Sequence, residues 1–153
     1  MLSNSQILDY RRDGQITPPN RLNTKTISSI RSKMEQLFAA RPELGTDYVP
    51  NLIEIDQTWL EFAQLPELLD VVEQLLGPDI IRGSALFCKS AIGGKATPWR
   101  QDGQYWPMRP LKTVTVWIAI DPSTIENGCL RVIPGSHATQ ERYAHGINNS
   151  AIN

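Results

Sequence analysis

Histidine and cysteine are both scarce in this chain: among 153 residues there are two of each, His137 and His145, Cys88 and Cys129. The cysteines stand too far apart for a metal knuckle or a redox pair, so they read as small buried hydrophobes kept as thiols in a reducing compartment. Long apolar runs are missing too. The longest, Val114 to Ile120, is interrupted by Thr115 and falls far short of the roughly 20 residues a membrane helix needs. The stretch from Met1 to Arg12 has no apolar segment of signal-peptide length, and Asp9, Arg11 and Arg12 arrive too early for one. These absences predict a cytoplasmic protein with no membrane partner, in which the sequon Asn148-Asn149-Ser150 carries no meaning. There is also no basic run. Fifteen Lys and Arg against sixteen Asp and Glu leave a net charge of -1, which excludes the electrostatic footprint of a nucleic-acid binder.

What is present suits one globular domain. Its length allows a single core that buries roughly 70% of the unfolded surface, and 41% of its residues are hydrophobic. No internal repeat or low-complexity tract divides it. Instead the hydrophobic period changes near Gly77. Before that point Ile27, Ile30, Met34, Leu37 and Phe38 fall on one face of a helix over about residues 26 to 40, with Thr24 or Thr26 as its cap and Pro42 as its stop. A short helix after Asp56 carries Trp59, Leu60 and Phe62. Pro66 opens a third, with Leu65, Leu68, Leu69, Val72, Leu75 and Leu76 on one stripe, ended by Gly77-Pro78.

After Gly77 the period becomes two. Ile81, Gly83, Ala85 and Phe87 share one face of a strand, with Arg82, Ser84, Leu86 and Cys88 on the other. A second strand is predicted over Thr113 to Ile120, and a third over Cys129 to Ile133 after the Asn127-Gly128 turn. Helices followed by strands imply α+β: a helical part at about 1–77, a β part at about 78–137 and an irregular tail at 138–153.

Several chemical patterns fail on inspection. Gly93-Gly94-Lys95-Ala96 lacks the first glycine and the final hydroxyl of a phosphate loop. Gly135-Ser136-His137 reads as a turn with a surface histidine, because adjacent side chains in an extended segment point apart. Glu54, Asp56 and Glu61 read as solvated or helix-capping carboxylates.

The segment Thr97 to Pro110, with Trp99-Arg100-Gln101-Asp102-Gly103-Gln104-Tyr105-Trp106, and the later run Glu126 to His137 carry the strongest signal. From about Leu65 to His137 the chain resembles the phytanoyl-CoA dioxygenase family, a branch of the Fe(II)- and 2-oxoglutarate-dependent oxygenases. The resemblance implies a double-stranded β-helix, a jelly roll with helices packed outside. It implies Fe(II) and 2-oxoglutarate as cofactors and hydroxylation of a small organic substrate. In that family two histidines and one carboxylate hold the iron, the first two ligands coming from a His-x-Asp pair. Here Asp102 matches the metal-binding carboxylate, Gln101 the residue between, and Arg100 stands where the histidine is expected. Trp117 matches a tryptophan lining the 2-oxoglutarate pocket, and Lys89 a recurrent lysine before the metal loop. Gln101, Trp117 and Lys89 are therefore the cofactor-binding candidates, while His137 matches a structural Gly-Ser-His turn.

A guanidinium stays protonated and has no lone pair to give a metal. Arg100 and Asp102, two positions apart on a strand, are expected to form an ion pair where the metal would lie. The family's distal histidine and its 2-oxoglutarate arginine would fall after Asn153, so an incomplete jelly roll is expected, with self-association through its open sheet. Three readings stay open: a dioxygenase with weak or absent turnover, a non-catalytic binding or assembly module, and an inactive remnant of the fold. Trp99, Tyr105 and Trp106 lie beside the loop as packing residues or as one wall of a substrate pocket.

Overall fold

The computed structural model describes residues 1–19, 21–45, 47–90, 93–94, 96–106, 108, 110–139 and 143. Five α-helices and a two-stranded sheet form among them. Helix α1 (Asn4–Asp13) has little apolar character and does not stand out in the hydrophobic pattern; its ends make it. Ser3 and Gln6 form a reciprocal capping box, and Gly14, at φ 75°, closes the other end with its N–H on the Tyr10 carbonyl.

Helix α2 (Thr24–Ala40) is the periodic helix of the sequence, two residues longer at its start. Its cap is Asn23 rather than a threonine: the Asn23 side chain accepts the Thr26 N–H at 2.9 Å, and a side-chain oxygen three residues upstream satisfies an otherwise orphaned donor. Strand β1 (Tyr48–Pro50) then lies inside the part expected to be helical. The short helices α3 (Leu52–Ile55) and α4 (Trp59–Ala63) follow, and α5 (Pro66–Leu76) runs between the proline and the glycine that predicted its limits.

Strand β2 (Ala85–Phe87) pairs antiparallel with β1, placing Tyr48 opposite Phe87 and Val49 opposite Leu86. The alternation holds: Leu86 turns toward the core while Ala85 and Phe87 face outward. The pairing is short because Pro50 removes a ladder donor at its end.

The strands expected over Thr113 to Ile120 and Cys129 to Ile133 do not form; neither segment pairs with another among the described residues. Alternation prepares a chain for a sheet, but a strand exists only where a neighbour accepts its ladder hydrogen bonds. Residues 113–120 are held instead by basic side chains near both ends. Lys112 Nζ donates to the Leu76 carbonyl at the end of α5 at 2.6 Å, and Arg31 of α2 donates to the Ile120 carbonyl at 2.6 Å and pairs with Asp121 at 2.8 Å. Between these ties Ile118 and Ile120 reach the core. The Asn127-Gly128 turn is present, with Gly128 at φ 82° and the Asn127 side chain accepting the Thr124 N–H, although it joins no paired strands.

Ile30, Leu37, Val49, Leu52 and Trp59 form the buried centre, so the core sits among α2, β1, α3 and α4. Leu86, Ile118 and Ile120 are the contribution of the later half. No helix among the described residues is long and apolar enough to cross a membrane.

Candidate functional site

Three of the sequence candidates meet on one side of the sheet. Arg100 Nε donates to Asp102 Oδ1 at 3.1 Å, the expected ion pair, with side chains 24% and 42% exposed. The second carboxylate oxygen, Oδ2, accepts a hydrogen bond from Thr115 Oγ1 at 3.3 Å. Asp102 opens a short 3-10 turn, Asp102–Gln104, and its own carbonyl accepts the Tyr105 N–H. The carboxylate is thus held between the segment that bears it and the 113–120 segment.

Arg100 also lies over an aromatic floor. Its guanidinium carbon is 5.6 Å from the Phe87 ring centroid. Phe87 stacks on Trp117, with centroids 6.3 Å apart at 30°, and lies 4.7 Å from the cross-strand ring of Tyr48. The β1–β2 register makes the Tyr48–Phe87 contact, and the anchoring of residues 112–121 to α2 and α5 holds Trp117 against it.

The other candidates go elsewhere. Gln101 accepts the Tyr143 N–H at 3.0 Å through its side-chain oxygen. Lys89 donates to the Gly128 carbonyl at 3.4 Å. His137 binds the end of α1, its Nε2 lying 3.0 Å from the Arg11 carbonyl oxygen. Trp99 is exposed beneath the Arg131 guanidinium. His145 lies outside the described residues.

Phe87, Tyr48 and Thr115 were not singled out in the sequence. Thr115 could have been: it shares the period-two face of Trp117. Tyr48 lacked any such signal, because its place depends on a pairing partner 39 residues away, Phe87.

Among the described residues the donor set does not suit Fe(II). A facial triad needs two neutral imidazoles and a carboxylate free to coordinate. Here the carboxylate is bonded to a guanidinium and a hydroxyl, and His137 is committed to α1. No group of three metal-ligating His, Cys, Asp or Glu residues forms among the described residues.

The family described as Phytanoyl-CoA dioxygenase (PhyH) matches residues 10–150. The chain belongs to the phytanoyl-CoA dioxygenase family. It is 34% identical over 140 residues to the L-proline trans-4-hydroxylase of Streptomyces griseoviridis, a match covering 83% of this chain and 52% of that protein. It is 28% identical over 162 residues to the peroxisomal phytanoyl-CoA dioxygenase of Bos taurus, covering 90% of this chain and 48% of that one. Against the Homo sapiens enzyme of the same name it is 37% identical over 87 residues, 54% of this chain and 26% of that one. The chain thus spans about half the length of the first two relatives. No solved structure matches it.

Proposed function

We propose that this chain is a phytanoyl-CoA dioxygenase-family domain, from a lineage that hydroxylates small organic substrates with Fe(II) and 2-oxoglutarate on a jelly-roll scaffold, and that its own turnover is weak or absent. The observation that carries the reading is the Arg100–Asp102 ion pair. The family membership supports the lineage. The ion pair supports the loss of turnover, because a guanidinium bonded to the family's metal carboxylate repels a divalent cation and supplies no ligand.

The same pair favours a second reading, a non-catalytic binding module. A position emptied of its metal chemistry but still built, with Asp102 bonded on both oxygens and an aromatic floor below Arg100, keeps the means to hold a ligand.

Anaerobic calorimetric titration with Fe(II), with and without 2-oxoglutarate, tests the proposal. The expected result is no saturable Fe(II) binding in the wild type. Saturable, 2-oxoglutarate-enhanced Fe(II) binding in that titration, or succinate release from 2-oxoglutarate once O2 is admitted, would overturn it. The Arg100→His variant restores the His-x-Asp pair and is expected to bind Fe(II) more tightly than the wild type.

A further inference from the structure

Resting on the reading that Arg100 has displaced metal chemistry at Asp102, we infer that this position binds the carboxylate of a small aromatic acid, without metal. A guanidinium carries five N–H donors in a rigid fork. Arg100 uses Nε toward Asp102, and among the described residues its terminal nitrogens, Nη1 and Nη2, make no hydrogen bond. Those two nitrogens form the edge that a carboxylate engages through two parallel hydrogen bonds. The Arg100 side chain as a whole is 24% exposed, partly shielded from water without being sealed from it.

The floor selects the rest of the ligand. Phe87 and Trp117 stack on one another, yet they remain 37% and 47% exposed. A planar ring covering them removes apolar surface from water and gains offset ring contacts. Charge selects the acid. Arg100 and Asp102 together are neutral, so an acid supplies the negative charge that the guanidinium fork attracts, while a dianion gains no selectivity over a monoanion because its attraction to Arg100 and its repulsion from Asp102 double together. An aromatic monocarboxylate satisfies the fork, the floor and the charge together.

Benzoate is the probe and benzamide its neutral isostere, titrated into chelator-treated full chain and followed by calorimetry and by backbone amide shifts in NMR. The expected result is saturable benzoate binding, with benzamide weaker by about tenfold or more, the loss that follows from removing charge from a hydrogen bond to a charged group. Arg100→Gln is expected to weaken benzoate by a similar factor, and Trp117→Leu by several-fold, with the circular dichroism of each variant unchanged. Equal binding of benzoate and benzamide to the wild type would overturn the inference even if Arg100→Gln failed to fold. Failure to bind benzoate, with Fe(II) also unbound, would overturn the inference and leave the proposed function standing. Benzoate binding that required Fe(II) would overturn both.

Discussion

His137 reaches across 126 positions of sequence to Arg11: its Nε2 lies 3.0 Å from the Arg11 carbonyl oxygen at the end of α1. The Gly135 N–H donates to the Asp13 carbonyl at 2.9 Å in the same contact, while the other end of α1 is tied to α5 by two hydrogen bonds between the Leu2 backbone and the Gln74 amide, 2.6 and 3.0 Å long. A helix with little apolar surface is thereby held by hydrogen bonds at both ends. The Pro-Gly-Ser-His turn acts as its dock.

Gly14→Ala is expected to disrupt that dock. Gly14 sits at φ +75° and a Cβ there would lie 2.4 Å from His137 Nδ1, so the substitution meets both a conformational penalty of about 1–2 kcal/mol and a collision. In urea unfolding, Gly14→Ala should lower the midpoint. The double variant Gly14→Ala/His137→Ala should cost less than the two single changes added, since the collision is then gone. Strict additivity would show that ring and glycine do not meet.

Acid should loosen the α2–α4 region. Asp56 accepts from Lys33 Nζ at 2.7 Å, and from the Thr58 N–H at 2.9 Å and hydroxyl at 2.7 Å. Led by the Lys33 hydrogen bond, these partners lower its carboxyl from 3.8 to about 2. Because the folded value is the lower one, the contribution to stability is full above the unfolded value and fades as pH falls from about 4 toward 2. Melting temperatures measured across that range should fall more steeply for the wild type than for Asp56→Asn. Parallel curves would remove Asp56 from the account.

Trp59 is 4% exposed and its indole Nε1–H is buried without a hydrogen-bond partner among the described residues. Trp59→Phe removes that unsatisfied donor along with some packing, so the two changes oppose one another and the net cost should stay near or below about 1 kcal/mol. Trp59→Ala leaves a cavity in the core and should cost about 3–5 kcal/mol. Chemical denaturation separates the two. A Trp59→Phe cost equal to that of Trp59→Ala would mean the indole N–H is satisfied in solution.

The half-buried Cys88 thiol is pushed up, first by burial and then by the charges of Asp121 and Asp47. Since the thiolate is the nucleophile, iodoacetamide at pH 8 should label Cys88 more slowly in the native chain than in urea. Equal rates in both states would contradict the burial. Peptide mass spectrometry after timed quenching reads the site directly.

Much of the helical half was legible because its signals act within a few residues. Pro66 and Gly77 bounded α5, the 3.6-residue spacing of Ile30, Leu37 and Phe38 marked α2, and Asn127-Gly128 marked a turn. The Arg100–Asp102 pair was legible for the same reason, two positions apart in one segment. The cap at Asn23 went unread because asparagine and threonine compete for one role there, and α1 because caps rather than an apolar stripe define it.

Three things were readable along the chain: its family, the helices with strong local punctuation, and a guanidinium two positions before the Asp102 carboxylate. Tertiary structure alone decided that Tyr48 would face Phe87, that Trp117 would stack on Phe87, that Thr115 would hold Asp102, and that His137 would dock α1. It also decided that residues 113–120, alternating like a strand, would be tied down by Arg31 and Lys112 rather than paired. The reason is physical. Caps, turns and helix faces are settled by neighbours along the chain, whereas a ladder, a ring stack or a long-range hydrogen bond needs a partner whose position only the folded chain supplies.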